Sequence, residues 1–293
     1  LFNCLSSAKA QSANYPFCTI DAQQGQISVP DERLNKLAEL VKPGRIVPAT
    51  CDIVDIAGLV KGASQGEGLG NQFLGNIRET DAIIHVLRCF DNDNIVHVDG
   101  SVNPVRDKEI IDAELQLKDL ETVENRIKRV EKQARVGGDK QAKLEFDVLS
   151  AYRDALLQGK SARTVTFDTE DEIAAAKGLF LLTTKPVLYV CNVDDTSAAN
   201  GNPYVEAVRE AIKDEEAELL IISAQTEADI AELESYEEKQ MFLEDMGLKE
   251  SGCDRLIKAI YKLLNLETFI TAGEMEVKAW TYRKGWKAPQ CAG

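Results

Sequence analysis

The sequence predicts an α/β fold: a mostly parallel sheet with helices on both faces, an inserted antiparallel helical hairpin, and the start of a small β domain. Three observations predict it. Apolar, β-branched runs alternate with segments of helical spacing on both sides of the chain's middle. A charged stretch from Asp107 keeps an apolar repeat every seventh residue. The closing stretch from Glu267 turns strand-like and aromatic.

The elements follow in order. The opening LFNCLSSAKA lacks the charged start and long apolar middle of a signal peptide, and both termini read as cut. CDIVDIAG, residues 51–58, is apolar and ends in a turn, as a strand should. A loop with Gly62, Gly66, Gly68 and Gly70 follows, then helical spacing at Phe73, Leu74 and Ile77. AIIHVLRCF, residues 82–90, is a continuous apolar run, the pattern of a strand buried on both faces.

From Asp107 to about Gln133 the apolar positions Ala113, Leu120, Ile127 and Ala134 recur in step, as do Val123 and Val130. Gly137 and Gly138 break this helix, and Ala142, Leu149 and Leu156 carry the spacing back. Two long helices joined by VGGDK make an antiparallel hairpin of coiled-coil type. The sheet pattern then resumes. KPVLYVCNV is a buried strand, NPYVEAVREAI a helix starting near Pro203, and AELLIISAQT a further strand. YEEKQMFLEDMGL and CDRLIKAIYKLLNL read as an acidic and an amphipathic helix. The expected division is 1–104 and 179–265 for the sheet domain, 105–178 for the hairpin and 266–293 for the last domain.

Composition narrows the class. The chain has 293 residues, 44% of them hydrophobic, which is enough for a real core. No apolar run approaches the ~18 residues of a membrane-spanning helix, so no membrane partner is expected. The net charge of −15 repels nucleic acid on average, so an RNA contact would need a local basic patch. Seven cysteines, an odd number without a CxxC pair, argue against disulfides or zinc and for a reducing, cytoplasmic setting.

The chemistry concentrates at strand ends. Asp55 closes a strand and Gly58 follows three residues later. In nucleotide switches such an aspartate holds magnesium through water. The glycine's backbone N–H meets the terminal phosphate, where only a residue without a side chain lets the backbone come so close. Ligands in open α/β sheets bind at these carboxyl ends. The glycine loop beyond can take one shape with a γ-phosphate and another without it.

Together, NYPFCTI, DIAGLVKGASQGEGLGNQFL, RETDAIIHVLRCF and IVHVDGSVNPVRD resemble the YchF (Obg-like ATPase) subfamily of P-loop GTPase-fold proteins, and the likeness runs the length of the chain. The resemblance implies a P-loop NTPase-type sheet and, from 266, the start of a β-grasp-like TGS domain. It implies a protein that binds and hydrolyses ATP in preference to GTP, with Mg2+ as cofactor, as a ribosome-associated, cytoplasmic monomer. In the family, the phosphate-binding GxxxxGK[ST] precedes an LFN stretch like Leu1–Asn3. The expectation is that this loop is missing here and that the chain alone binds nucleotide weakly. By resemblance, Thr19 is the switch threonine whose hydroxyl reaches magnesium.

Leu59 stands where many GTPases place the glutamine that orients the attacking water, and leucine cannot hydrogen-bond one. Of the two histidines, His85 lies in the apolar run and reads as a core residue. His97 lies among polar turn residues, and the resemblance points to it as the water-orienting group.

Guanine-specific proteins carry NKxD after a buried strand. Here the sequence is Asn192, Val193, Asp194, Asp195. The family usually has NxxE, so Asp195 departs from it and leaves the choice of base open. Val193 would offer an apolar surface beside the purine, and Asn192 would brace the loop or accept from an adenine amine. Ser223 and Ala224 fall where a further base-contacting loop is expected. Lys278, Arg283, Lys284 and Lys287, with Trp280, Tyr282 and Trp286, form a cluster that could stack on RNA bases or simply pack a β-domain edge. A conventional GTPase and a nucleotide-gated binding module with little hydrolysis are the alternative functions.

Overall fold

The structure is a computed structural model that describes residues 1–6, 23–56, 70–97, 99–136 and 138–291. In chain order the elements are α1 (Phe2–Leu5), β1 (Gln23–Ser28), α2 (Glu32–Val41), β2 (Arg45–Val47), β3 (Thr50–Asp55), α3 (Gly70–Glu79) and β4 (Ile83–Arg88). Next come α4 (Pro104–Val136), α5 (Lys140–Leu157), α6 (Glu170–Lys177), β5 (Val187–Asn192), α7 (Pro203–Ala211) and β6 (Glu218–Ile222). The chain closes with α8 (Ala224–Glu232), α9 (Tyr236–Asp245), α10 (Gly252–Leu263), β7 (Leu266–Ala272), β8 (Glu276–Arg283) and α11 (Ala288–Cys291).

Contacts gather into two compact units. One comprises Leu1–Asp55, Ile84–Pro104 and Val187–Gly293; the other comprises Ile56–Ile83 and Val105–Pro186. The first unit holds the strands in three hydrogen-bonded groups: β1-β3, β2-β8-β7 and β4-β5-β6. β5 and β6 run parallel, with Asn192 opposite Ile222 at their carboxyl ends. β5 lies between two partners, which is why its residues Val187 to Cys191 are all buried. Among the described residues β4 has one hydrogen-bonded neighbour, β5, and its Val86 is 48% exposed.

Helix α10 covers the sheet because its apolar residues share one stripe. Leu256, Ile257, Ala259 and Ile260 pack against Ile27, Leu188, Val190 and Ile222. Full burial of a leucine such as Leu256 stabilises by roughly 2–3 kcal/mol. Ser251 starts the helix by accepting from the Asp254 N–H at 3.0 Å. The β7–β8 hairpin joins β2 in parallel and packs Val277 and Ala279 against Leu34 of α2 and Tyr261 of α10.

In the other unit, α4 and α5 form the hairpin that the seven-residue repeat predicts. Val123, Ile127 and Val130 meet Val148, Leu149, Tyr152 and Leu156 in one core, which extends to Ala162, Ala176 and Leu181. Asp139 caps α5 through the Ala142 N–H at 3.0 Å. Asp119 of α4, with no exposed surface, accepts from the Leu182 and Thr183 backbone N–H groups at 2.8 and 2.7 Å and from the Thr183 hydroxyl at 2.7 Å. This carboxylate ties the return segment to the hairpin, and burial pushes its pKa upward against those three donors. No helix among the described residues is long and apolar enough to cross a membrane.

Candidate nucleotide-binding site

The parallel pair β5–β6 brings two loops together at its carboxyl end. The Asn192 side-chain oxygen accepts from the Ala224 backbone N–H at 2.9 Å. Asp195 Oδ1 accepts from the Ser223 hydroxyl at 2.6 Å and the Thr226 hydroxyl at 2.8 Å. Ser223, 2% exposed, also starts α8 by accepting from the Thr226 N–H at 3.2 Å. Asp194 closes the turn between, accepting from the Thr196 hydroxyl and the Ser197 N–H at 2.6 and 2.9 Å. These hydrogen bonds, the Thr196 hydroxyl foremost, hold its carboxyl below the usual range.

Four sequence-selected residues, Asn192, Asp195, Ser223 and Ala224, therefore meet in one network. Val193 does not present the expected apolar surface. It is 3% exposed, and its N–H extends the strand ladder to the Ile222 carbonyl at 2.9 Å. Thr226 was not foreseen, although its place three residues after the capping Ser223 is the signal that could have found it.

Asp55 ends β3 with an exposed side chain, its backbone opposite Gln23 of β1. Thr19, Gly58 and Leu59 lie outside the described residues. His97 lies in the loop after β4, where its Nδ1 accepts from the Asp99 N–H at 3.1 Å and its carbonyl accepts from the Gly100 N–H at 3.1 Å. A neutral imidazole that accepts at Nδ1 carries its proton on Nε2. His85 is half-buried with its ring 5.7 Å from that of Tyr189, as a packing residue would be.

In the closing hairpin, Lys278 Nζ sits 3.6 Å from the Trp280 ring centroid, and Phe269 stacks against the same ring at 6.4 Å. The indole N–H donates to the Thr271 hydroxyl at 2.9 Å. Trp280 thus uses its ring and its polar handle within the sheet, with 40% of its surface exposed.

Comparison with known proteins agrees with this architecture. A family profile described as a 50S ribosome-binding GTPase matches residues 1–135, and the YchF GTPase C-terminal family, described as a protein of unknown function, matches residues 266–293. The GTPase profile matches from the first residue, so it lends no support to the expectation of a missing phosphate-binding loop. The chain is 55% identical to the ribosome-binding ATPase YchF of Bacillus subtilis, covering all of this chain and 80% of that protein. It is 52% identical, with the same coverage, to the protein of that name from Escherichia coli O157:H7. The solved structure of the Schizosaccharomyces pombe YchF GTPase superposes with a TM-score of 0.81 at 37% identity, over 96% of this chain and 76% of that one.

Proposed function

Since the chain belongs to the YchF family of GTPase-fold proteins, we propose that it is a nucleotide-dependent switch that binds and hydrolyses ATP in preference to GTP in association with the ribosome. The observation that carries the nucleotide-binding part of this reading is the network joining Asn192 to Ala224 and Asp195 to Ser223 and Thr226 across the carboxyl ends of β5 and β6, and the ATP preference is supported by the ATPase name of the relatives. The network braces two loops at the carboxyl ends of parallel strands, the end at which open α/β sheets take their ligands. In this reading, 1–104 and 179–265 form the nucleotide-binding part, 105–178 the inserted arm and 266–293 the start of the TGS domain. The protein works in the cytoplasm as a monomer.

Hydrolysis of a phosphoanhydride asks for positioning and charge neutralisation rather than covalent catalysis. By the family resemblance the Gly58 N–H would meet the terminal phosphate, and His97 would take over the water-orienting task that Leu59 cannot perform. Asp55 fits a hard cation, because it offers exposed carboxylate oxygens at a strand end. Mg2+ would be held there through water with the Thr19 hydroxyl, and would supply charge neutralisation at the phosphates.

One observation favours a second reading, a conventional GTPase. Both hydroxyls donate to the same oxygen of Asp195, and an aspartate at this position is what guanine recognition uses. Calorimetry with the full-length protein separates the two readings. Tighter ADP than GDP binding is expected, and the reverse order overturns the ATPase reading.

A further inference from the structure

We infer that Arg88 is a positioning residue for hydrolysis, fixing the loop that presents His97. This rests on the reading of His97 as the water-orienting group. Arg88 is the last residue of β4, and its guanidinium turns forward over the loop that follows. Nε donates to the Phe90 carbonyl at 3.2 Å, Nη2 to the Asn92 carbonyl at 3.1 Å and Nη1 to the Ile95 carbonyl at 3.0 Å. The guanidinium carbon lies 4.9 Å from the Phe90 ring centroid. One rigid fork thus gathers three carbonyls, of residues 90, 92 and 95, in a segment that is neither strand nor helix.

Other contacts complete the hold. The Asn202 side-chain amide donates to the Cys89 carbonyl at 2.7 Å, and the Tyr204 hydroxyl reaches both Asp91 carboxylate oxygens at 2.9 Å. The Asn94 N–H bonds the Asn92 side chain at 2.9 Å. His97 follows two residues after the last carbonyl that Arg88 grips. The Asp99 N–H then sets the imidazole so that Nε2 is the donor. An arginine is needed for this geometry, because lysine offers one compact ammonium where three separated acceptors must be met. A loop released from the fork still lets nucleotide bind, but presents the imidazole to the water in the productive place less often.

The test uses the full-length protein with Arg88→Met, Arg88→Lys, His97→Ala and the Arg88→Met/His97→Ala pair. Steady-state ATP hydrolysis is read together with deuterium exchange of peptides spanning 89–101. We expect both Arg88 variants to lose about tenfold or more in kcat, less than the roughly hundredfold at which losses of an acid–base group itself begin, with KM changed less than twofold. The pair should be no slower than His97→Ala alone, and exchange should rise in 89–101 but not in β5. Arg88→Met with kcat within twofold of the parent, losses that multiply in the pair, or full rescue by lysine would each overturn the inference. If His97→Ala keeps full activity, the His97 reading fails by itself. Raised exchange in 89–101 would then leave Arg88 a structural tie of the loop and overturn its positioning role in hydrolysis, and unchanged protection would refute the tie as well.

Discussion

The Asn192 side chain accepts a hydrogen bond from the backbone N–H of Ala224 at 2.9 Å, so the loop after β5 and the start of α8 are one assembly. Removing that acceptor leaves the Ala224 N–H without its partner and unties the two loops. Asn192→Ala should therefore weaken nucleotide binding by about 1–2 kcal/mol, roughly tenfold, with little change in melting temperature. Titration calorimetry with ADP checks this, and unchanged affinity would remove Asn192 from the site.

Asp195 is held at one oxygen by Ser223 and Thr226. A longer side chain there would carry the carboxylate away from both hydroxyls and nearer the base. Asp195→Glu should raise the ratio of ADP to GDP affinity, and Asp195→Ala should reduce both by at least about fivefold through loss of two charge-assisted hydrogen bonds. Competition binding with the two diphosphates measures the ratio. No movement of the ratio in Asp195→Glu would separate Asp195 from base choice.

Gly252 has no room for a side chain. A Cβ there would sit 2.8 Å from Glu227 Oε1 and 2.9 Å from Ile222 Cγ2. Glu227, 4% exposed, also accepts from the Gly252 and Cys253 N–H groups at 2.6 and 3.0 Å, so it cannot easily swing aside. Gly252→Ala should destabilise by about 1–3 kcal/mol, the usual effect of overpacking. Urea unfolding gives the value, and a change below a few tenths of a kcal/mol would mean that the contact relaxes freely.

The buried Asp119 answers three donors at once. Asp119→Ala strands two backbone N–H groups in the interior of the helical unit and should lower its stability by about 3 kcal/mol. Exchange protection in 119–130 and 180–184 should fall together. If protection falls in only one of the two segments, the carboxylate does not join them.

Asp194 supplies the pH dependence. Its folded pKa lies below its ordinary value, so the unfolded chain binds the proton more tightly. The stabilisation is therefore fully present above the usual carboxylate range and is lost as pH falls through the depressed folded value. The group is exposed, so its capping contribution is at most about 1 kcal/mol. The difference in thermal midpoint between the parent and Asp194→Ala should be flat from pH 5 to about pH 8 and shrink below about pH 4. A difference that grows on acidification would reverse the assigned sign.

The sequence alone determined the class of fold and the position of the candidate site. Alternating buried runs and helical spacing are local periodicities, so β3 to β6, the α4–α5 hairpin and the NVDD loop were legible without coordinates, whereas the polar β1 and the short β2 were not. Only the tertiary structure decided which polar groups meet. Asp119 finds Leu182 and Thr183, Glu227 finds Gly252, and Arg88 closes on its own loop because neighbouring elements and turns fix those distances, and no spacing rule records them. The same holds for exposure. Val86 is 48% exposed and Val193 3%, a difference set by which elements cover each side chain and not by residue type.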